Sequence, residues 1–395
     1  MIRQKGGLPH RVQKKTRWLA WLVALPYMAL AEVPVDHIPN TLSLPETYPD
    51  SWVFVYSSSQ PTVGIYAIVD VDAGTREYKG QIQGAFYPSL IVPNRRAELY
   101  VAESIFESVS HGKRTDVLSI TNKATLNTVA QIVLPGSKRG ILVGNIMDIT
   151  HDGKWVLVLN FTPASSVTIV DAQNRKIVNE VPIPGCTSIY PSGPNGFSSL
   201  CGDGTLTTFS LGAKGKVMRE SRSSAFNDID HDVLSLQPAS FGATTYFVSA
   251  GGHIRPVTMA GDQPVIQPSW PLITSEETAD GWRPADSASA AFDESGCFYI
   301  RMYRETGYEK QARDNTEVWV YDVSAKRRIR RIPLKNGGTS MDITRGKKPY
   351  LAVTAETDPI AGESLDIYDA VSGAWIRSIG GWPPGNSLSL VQAGR

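Results

Sequence analysis

The sequence predicts an all-β protein folded as a seven-bladed β-propeller with four-stranded blades. Three observations support this prediction: no convincing amphipathic helix follows the N-terminal segment, strand-like runs recur in groups, and the groups have a regular length. Runs such as "WVFVYSS" and "GIYAIVDVDAGT" end in polar turns, as expected for strands joined in hairpins. A period of about 40–50 residues with about four short strands per unit is typical of a propeller rather than a solenoid or sandwich.

Seven such units can be read along the chain. The residues that close the third strand of each unit are Asp72, Thr121, Asp171, Ser210, Ala260, Asp322 and Asp369. After the seventh unit the chain ends in "GNSLSLVQAGR", which resembles the innermost strand of another unit, "GGTSMDIT" at 337–344. We therefore expect residues 387–392 to complete the blade begun by residues 52–82, so that the C-terminal strand closes the ring and leaves no open radial edge.

The N-terminus has the features of an export signal. Residues 1–17 carry six Lys or Arg and no acidic residue, residues 18–30 are almost wholly apolar, and Ala29-Leu30-Ala31 matches a small-x-small cleavage site. We predict a signal peptide over residues 1–31, with cleavage near Ala31. The alternative is a retained membrane anchor, but the apolar run is shorter than the ~20 residues that a transmembrane helix needs.

The remaining chain divides into an arm and a ring. Residues 32–51 are rich in proline and predict an extended N-terminal arm outside the propeller, and residues 52–395 form the propeller itself. The whole chain has 39 basic and 38 acidic residues; loss of the six basic residues of the signal leaves 33 against 38, a formal charge of −5. Such a balance gives no indication of nucleic-acid binding, which needs a concentrated positive face.

Two of the three cysteines, Cys186 and Cys201, flank a Pro/Gly-rich turn in "GCTSIYPSGPNGFSSLCGDGTL". They could be metal ligands, a redox pair or a disulfide. Export favours a disulfide, and no C-x-x-C or H-x-x-x-H spacing supplies the further ligands of a zinc site. A disulfide closing a loop of this size contributes ~3 kcal/mol in the chain-entropy model. The third cysteine, Cys297, begins a strand-like run and is predicted to be a small buried apolar side chain.

Motifs of known catalytic sites are missing from the sequence: it contains no G-x-S-x-G, H-E-x-x-H, G-x-G-x-x-G or P-loop pattern. The five histidines beyond the signal are predicted to be surface or turn residues. They are His37, His111, His151, His231 and His253. The segment "NDIDHD" at 227–232 could hold a hard cation, but it lacks the spacing of a calcium loop, and a solvated blade loop is the favoured interpretation.

Two further segments have more than one interpretation. The arginines of "AKRRIRRIP" at 325–333 could dock an acidic partner; protection of an outer strand against edge-to-edge aggregation is the favoured alternative. Phe86, in "GAFYPSL", lies at a turn into an inner strand. From the residues alone it is a packing side chain.

Five segments, taken in order on seven repeats, resemble the heavy subunit of quinoprotein amine dehydrogenases, the methylamine and aromatic amine dehydrogenases. They are "GAFYPS" at 84–89, "SHGKRTDVLSI" at 110–120, the two-cysteine segment at 185–206, "GKVMRESRS" at 215–223 and "EETADGWRP" at 276–284. The resemblance covers nearly the whole mature chain. It implies a seven-bladed propeller, in agreement with the period of the repeats, and a periplasmic location.

The resemblance also implies a division of labour between two subunits. The cofactor, tryptophan tryptophylquinone, is carried by a separate disulfide-rich light subunit; two heavy and two light chains assemble, and electrons pass to a blue-copper protein of the amicyanin or azurin type. Primary amines are oxidised to aldehydes and ammonia. This chain is then expected to carry no catalytic, cofactor-binding or metal-binding residue. Its nine Trp are not candidates for the quinone, and several of them, such as Trp52, Trp155 and Trp319, fall in strand patterns where packing of the blade is a sufficient role.

By the same resemblance, Phe86 borders the substrate entrance. One departure from the family is "ADSAS" at 285–289, where a Gly-Gly pair is usual, and it bears on the contact with the light subunit there. The segment 183–223 is closer to the aromatic type and "ADGWRP" to the methylamine type, so the amine is not determined. The alternatives are a stand-alone periplasmic propeller hydrolase or lactonase and a non-catalytic binding scaffold.

Overall fold

The computed structural model describes residues 43–60, 63–140, 145–285, 290–305, 316–358, 362–382 and 387–394. Within these ranges the strands form seven antiparallel sheets, which are the blades of a β-propeller. The predicted fold class is confirmed. The predicted signal peptide at 1–31 and residues 32–42 of the predicted arm lie outside the described residues. Among the residues that are described, no helix combines the length and the apolar character that crossing a bilayer requires.

The strands follow one another blade by blade. Blade 1 begins with β1 (Trp52–Gln60), β2 (Val63–Asp70) and β3 (Tyr78–Gly84). Blade 2 has β4 (Phe86–Ile91), β5 (Glu98–Ser108), β6 (His111–Asn122) and β7 (Thr128–Leu134). Blade 3 has β8 (Met147–Ile149), β9 (Trp155–Asn160), β10 (Ser166–Asp171) and β11 (Lys176–Pro182). Blade 4 has β12 (Cys186–Ser192), β13 (Gly196–Cys201), β14 (Leu206–Leu211) and β15 (Val217–Arg222).

The remaining blades include two with a divided strand. Blade 5 has β16 (Ala239–Phe241), β17 (Thr244–Val248), β18 (His253–Thr258), β19 (Val265–Ile266) and β20 (Trp270–Pro271). A short helix, α1 (Ser275–Ala279), precedes blade 6, which has β21 (Trp282–Pro284), β22 (Ala290–Phe292), β23 (Cys297–Arg304), β24 (Glu317–Asp322) and β25 (Arg327–Pro333). Blade 7 has β26 (Ser340–Ile343), β27 (Tyr350–Asp358), β28 (Gly362–Asp369) and β29 (Trp375–Ile379), and the chain ends with β30 (Ser387–Ala393). Two 3₁₀ turns, Pro135–Ser137 and Ala213–Gly215, complete the elements.

The ring is closed by the last strand, as the sequence predicts. Strand β30 pairs antiparallel with β1, with Val53 opposite Ala393 and Val55 opposite Val391, and so becomes the innermost strand of blade 1. The first blade is therefore built from both ends of the described chain. The pairing of β30 with β1 joins the C-terminal strand to the first blade and so holds the ring closed without a separate element.

Proline residues occur at the breaks in both divided strands, the outermost strand of blade 5 and the innermost strand of blade 6. In blade 5, β19 and β20 both pair with β18, and Pro268 lies between them. Proline has no N–H to donate to a strand ladder, so the outermost strand is interrupted there. In blade 6, β21 and β22 both pair with β23, and β21 ends at Pro284. Residues 286–289, most of the departure at 285–289, lie outside the described residues.

The core lies between the blades. Strands β9 and β10 are buried at every position, because both faces of a middle strand pack against neighbouring blades. Outer strands such as β25 instead alternate between exposed and partly buried positions. The side chains of Trp52, Trp155 and Trp319 are buried in these layers, which confirms the predicted packing role of these three residues.

The loops lie on two faces of the ring. One face carries two kinds of connection: the links from the outermost strand of one blade to the innermost strand of the next, and the turns between the second and third strands of each blade. We call it the crossover face, and we call the other the opposite face.

Part of the predicted arm packs on the opposite face. The Leu44 N–H donates to the carbonyl oxygen of Ala124 at 2.8 Å, and the Tyr48 hydroxyl donates to the carbonyl oxygen of Lys123 at 2.7 Å. The Tyr48 ring lies 5.0 Å from that of Trp52.

Candidate functional site

The innermost strands of all seven blades surround a central cavity of about 2230 Å³. On the crossover face, Ala85 alone lies between Gly84, the last residue of β3, and β4, whose first two residues are Phe86 and Tyr87. Among the residues that the structure describes, Tyr87 lines the cavity and Phe86 does not. The sequence singled out Phe86; the residue that lines the cavity is the next one, Tyr87.

Phe86 is half-buried in a small aromatic cluster. Its ring centroid lies 4.7 Å from that of Tyr87 and 5.2 Å from that of Phe106 on β5, and both pairs are edge-to-face, the favourable arrangement for aromatic quadrupoles. The Tyr87 ring thus rests against Phe86, and a smaller residue at 86 would remove that contact.

The backbone of Tyr87 is in the left-handed region, with φ at 43°, a conformation that costs a non-glycine residue roughly 1–2 kcal/mol. Surrounding contacts hold it there. Arg139 donates hydrogen bonds of 3.1 Å to the carbonyl oxygens of both Phe86 and Tyr87, and the Tyr66 hydroxyl donates one of 2.9 Å to the carbonyl oxygen of Pro88. Three consecutive carbonyl groups are thus fixed.

Two glycines, Gly64 and Gly84, leave room for the Pro88 ring to pack against the turn at Phe86 and Tyr87. A Cβ atom on Gly64 would lie 2.5 Å from a ring carbon of Tyr56 and 2.6 Å from Pro88, and a Cβ atom on Gly84 would lie 2.4 Å from Pro88. Such distances are far inside van der Waals contact. The missing side chains at 64 and 84 are therefore a steric requirement of the β3–β4 link, independent of backbone freedom.

A buried polar network underlies the turn. Asp116, 0% exposed, pairs with Arg114 at 2.7 Å between Nε and Oδ1 and accepts a 2.7 Å hydrogen bond from Ser104 Oγ. Arg139, 2% exposed, donates from Nη2 to the same Ser104 oxygen at 3.0 Å. Burial lowers the pKa of Arg139 to about 10, so the guanidinium stays charged at neutral pH. Glu103 accepts the N–H of Ala85 at 2.6 Å.

Sequence reasoning missed this network. Its signal was present as carboxylates inside otherwise apolar strand runs, Glu103 in "ELYVAES" and Asp116 in "RTDVLSI". Buried carboxylates in such positions are paired or hydrogen-bonded. The partner Arg139 lies in the link between blades 2 and 3, where no strand pattern indicates it.

The two-cysteine segment forms the predicted disulfide. Cys186 begins β12 and Cys201 ends β13, the two residues are directly paired in the sheet, and their sulfurs are bonded at 1.99 Å. Both side chains are buried. The bond joins the innermost and second strands of blade 4 at their crossover-face ends. Cys297 is a free thiol at the head of β23, as predicted, but it is half-buried instead of buried.

The other candidate residues stay apart. Among the described residues, no three His, Cys, Asp or Glu side chains are grouped so as to hold a metal ion. Four histidines are exposed, and His111 and His253 begin strands instead of lying in loops; His37 lies outside the described residues. In "NDIDHD", Asp232 accepts hydrogen bonds from Arg255 Nη2 at 2.9 Å and from the Gly251 N–H at 2.7 Å, which ties this loop to the β17–β18 turn.

Arginines of the outer strand β25 contact α1, their own blade and blade 7, where Arg330 donates a 3.1 Å hydrogen bond to the carbonyl oxygen of Ala370. Arg328 pairs with Glu277 of α1 at 2.6 Å and lies over the Trp319 ring at 4.1 Å. Arg331 pairs with Glu317 at 2.6 Å. The strand therefore fastens α1, and with it the start of the "EETADGWRP" segment, to blade 6.

The segments that carry the resemblance share one face. The turns of "GAFYPS", "SHGKRTDVLSI" and "EETADGWRP" lie on the crossover face, as do both ends of the two-cysteine segment, and "GKVMRESRS" contains β15, which ends there. Segments far apart in sequence thus lie around one end of the central cavity.

Comparison with known proteins identifies the family. A family model described as methylamine dehydrogenase heavy chain matches residues 53–391. The methylamine dehydrogenase heavy chain of Methylorubrum extorquens is 26% identical over 335 residues, covering 83% of this chain and 79% of the relative. That of Paracoccus versutus is 27% identical over 319 residues, covering 78% and 72%.

Solved structures agree in fold. A periplasmic gluconolactonase of Pseudomonas aeruginosa superposes with a TM-score of 0.57 at 11% identity, covering 86% of this chain and 96% of that one. The dihydro-heme d1 dehydrogenase NirN gives a TM-score of 0.53 at 15% identity, covering 90% and 77%. At such identities the likeness concerns the fold alone. The match over residues 53–391 is of another kind, and it shows that the chain belongs to the methylamine dehydrogenase heavy chain family of amine dehydrogenase subunits.

Proposed function

We propose that this chain is the heavy subunit of a periplasmic amine dehydrogenase that converts primary amines to aldehydes and ammonia. The observation that carries the proposal is the family match over residues 53–391, which spans the propeller from its first strand almost to its last. The chain assembles with a light subunit as two heavy and two light chains. The electrons leave to a blue-copper protein.

The quinone cofactor of this reaction, tryptophan tryptophylquinone, belongs to the light subunit and accepts the two electrons of the amine. The role of the heavy chain is to bind the light subunit and to shape the path of the amine. Two of its Trp side chains, Trp155 and Trp319, are buried between blades and serve packing. The catalytic groups are accordingly assigned to the light subunit.

The crossover face supports this role, because large apolar side chains are exposed on it. They are Val63, Ile105, Val109, Ile229 and Val233. Exposed apolar side chains on the face around one end of the cavity support a protein–protein contact there. We propose that the light subunit covers this end of the propeller.

Phe86 and Tyr87 are proposed to border the substrate entrance beneath that interface. Tyr87 lines the cavity and rests on Phe86, and its carbonyl oxygen is held by Arg139. A rigid aromatic rim selects by volume, because it cannot move aside for a bulky amine without breaking these contacts. The residues therefore act as specificity contacts and take no part in the chemistry.

Export and chain organisation complete the proposal. Residues 1–31 are the signal peptide, residues 32–51 the arm and residues 52–395 the propeller. N-terminal sequencing of the exported protein tests the first boundary; a sequence beginning at Glu32 supports it.

The assignment is tested by expression with and without the partner. The mature chain expressed alone is expected to fold as a β-rich protein without visible quinone absorbance and without amine oxidation by an artificial acceptor. Co-expression with the light subunit and its maturation proteins should give a heterotetramer with both properties. Turnover of an amine by the chain alone would contradict the proposal and favour an independent enzyme.

A further inference from the structure

The tip of the β5–β6 hairpin has an unusual residue for its conformation. Strands β5 and β6 are connected by a two-residue turn, Val109-Ser110, with Ser108 paired to His111. Val109 has φ at 49° and is 74% exposed. It is the most exposed large apolar side chain among the described residues.

This conformation is unfavourable for valine. A β-branched residue with positive φ is a genuine outlier, because its Cβ substituents crowd the backbone. Glycine, asparagine or aspartate is the usual residue in such hairpin turns. The other described non-glycine residues with positive φ are Arg76, Tyr87, Leu126, Asn145, Arg175, Ser188, Lys214 and Lys326, and none of them is β-branched.

The two-residue turn imposes the positive φ of Val109, and the side chain of this residue makes little contact with the rest of the described chain. Leu126, by comparison, packs against the core of blade 1, and the carbonyl of Tyr87 is held by Arg139. The Val109 side chain instead projects into solvent. Backbone strain at an exposed apolar residue is expected to persist where the residue contacts another molecule.

The hairpin is also the longest between second and third strands in the described part of the ring, at 11 and 12 residues. Its outer half carries Phe106, whose ring lies 5.2 Å from that of Phe86. Val109 is three residues further along, about 10 Å at the rise of a β-strand. The tip therefore stands beside the proposed substrate entrance.

We infer that Val109 is an anchor residue for the light subunit and inserts into an apolar pocket on it. The inference rests on the proposed function. If the reacting group belongs to the light subunit and the amine passes Phe86, then the light subunit has to be seated within reach of Phe86. The hairpin tip lies about 10 Å along the strand from Phe106, whose ring contacts that of Phe86, and so falls inside that interface. The exposed side chain of Ile105 on β5 extends the contact along the same hairpin.

The test uses two substitutions that separate strain from contact. Val109→Gly and Val109→Asn both tolerate positive φ and both remove the apolar side chain. We expect the full-length variants to resist urea as well as or better than the parent chain, yet to bind the light subunit about tenfold or more weakly, as for the loss of one buried valine. Binding is measured by sedimentation of the assembled complex over a dilution series.

The matched control is Val371→Gly. Val371 is exposed to a similar extent, at 59%, but lies in the β28–β29 turn on the opposite face; its substitution should leave assembly unchanged. Parent-like binding by both Val109 variants would overturn the inference while leaving the proposed function intact. Failure of the parent chain itself to bind the light subunit would contradict both the inference about Val109 and the proposed function. Loss of a homodimer of the heavy chain alone on Val109→Gly would assign the tip to a second copy instead, and so also overturn the inference.

Discussion

The guanidinium of Arg139 hydrogen-bonds the carbonyl oxygen of Tyr87 across 52 residues of sequence, at 3.1 Å. Through this contact a buried charge in the link between blades 2 and 3 fixes the rim of the central cavity. The same guanidinium holds Phe86 and Ser104. Tyr87 can keep its left-handed backbone because Arg139 and the tightly packed Pro88 leave it no alternative.

Removal of this charge should loosen the rim. Arg139→Met keeps most of the side-chain volume but releases two backbone carbonyls and Ser104, and hydrogen bonds from a charged group contribute about 1.5–3 kcal/mol each when buried. Because removal of the guanidinium also relieves the desolvation of a buried charge, we expect the free energy of unfolding in urea to fall by only roughly 2–4 kcal/mol. Arg95→Met is the control, because Arg95 is exposed; equal stability of the two variants would contradict the role of Arg139.

Substrate selectivity should respond to both aromatic residues of the rim. In the assembled enzyme, Phe86→Ala and Tyr87→Ala are expected to shift the ratio of kcat/KM between bulky and small amines about tenfold or more towards the bulky ones, where a tenfold change corresponds to about 1.4 kcal/mol. Tyr87→Ala should have the larger effect, since Tyr87 lines the cavity.

Tyr87→Phe preserves the ring and should leave the ratio unchanged. A ratio that does not move in correctly folded alanine variants would return both residues to packing roles. A change in kcat alone, equal for all amines, would also be inconsistent with selection by volume.

The disulfide makes a separate prediction. Non-reducing peptide mapping of exported protein should recover the peptides of Cys186 and Cys201 joined, while Cys297 is alkylated after unfolding. Replacing both bonded cysteines with serine should lower the free energy of unfolding by ~3 kcal/mol without changing the spectrum of the assembled enzyme, because no redox role is assigned to them. Recovery of both as free thiols would refute the assignment.

Lys123 should give the stability a distinctive pH dependence. Its side chain is buried, its ammonium donates to the carbonyl oxygen of Pro93, and burial lowers its pKa to about 8. In the unfolded chain this lysine has an ordinary pKa near 10.4. Between about pH 8 and 10, Lys123 therefore binds more protons in the unfolded chain than in the folded one. Stability contributed at this site therefore rises with pH across that window.

Lys123→Met removes the titrating group. Relative to the parent chain, it should flatten the rise in unfolding free energy between pH 8 and 10 by up to about 3 kcal/mol. Urea unfolding at several pH values measures the difference between the two proteins. Lys347→Met is the control, because Lys347 is exposed; identical pH slopes for the Lys123 variant and the parent would show that Lys123 titrates normally.

The sequence by itself determined the all-β class, the seven blades and the closure of blade 1 by residues 387–392. These features follow from strand pairing between neighbours in sequence, and each blade repeats the same local pattern of apolar run and turn. Closure needed only the recognition that the last run matched an innermost strand. The disulfide was also predictable, since Cys186 and Cys201 are joined by a short hairpin.

Tertiary structure alone decided which side chains meet at the cavity. Phe86 and Tyr87 are adjacent in sequence, but the fold places Tyr87, whose φ is positive, at the cavity and the Phe86 ring beside that of Phe106. That backbone depends on Arg139, which comes from the link to another blade. The strained Val109 was likewise invisible to a strand pattern, because valine is an ordinary strand residue and its φ is set by where the hairpin turns. The conformational preferences of the individual residues specify the strands. At Tyr87 in the rim and Val109 in the hairpin tip, the surrounding structure overrides those preferences.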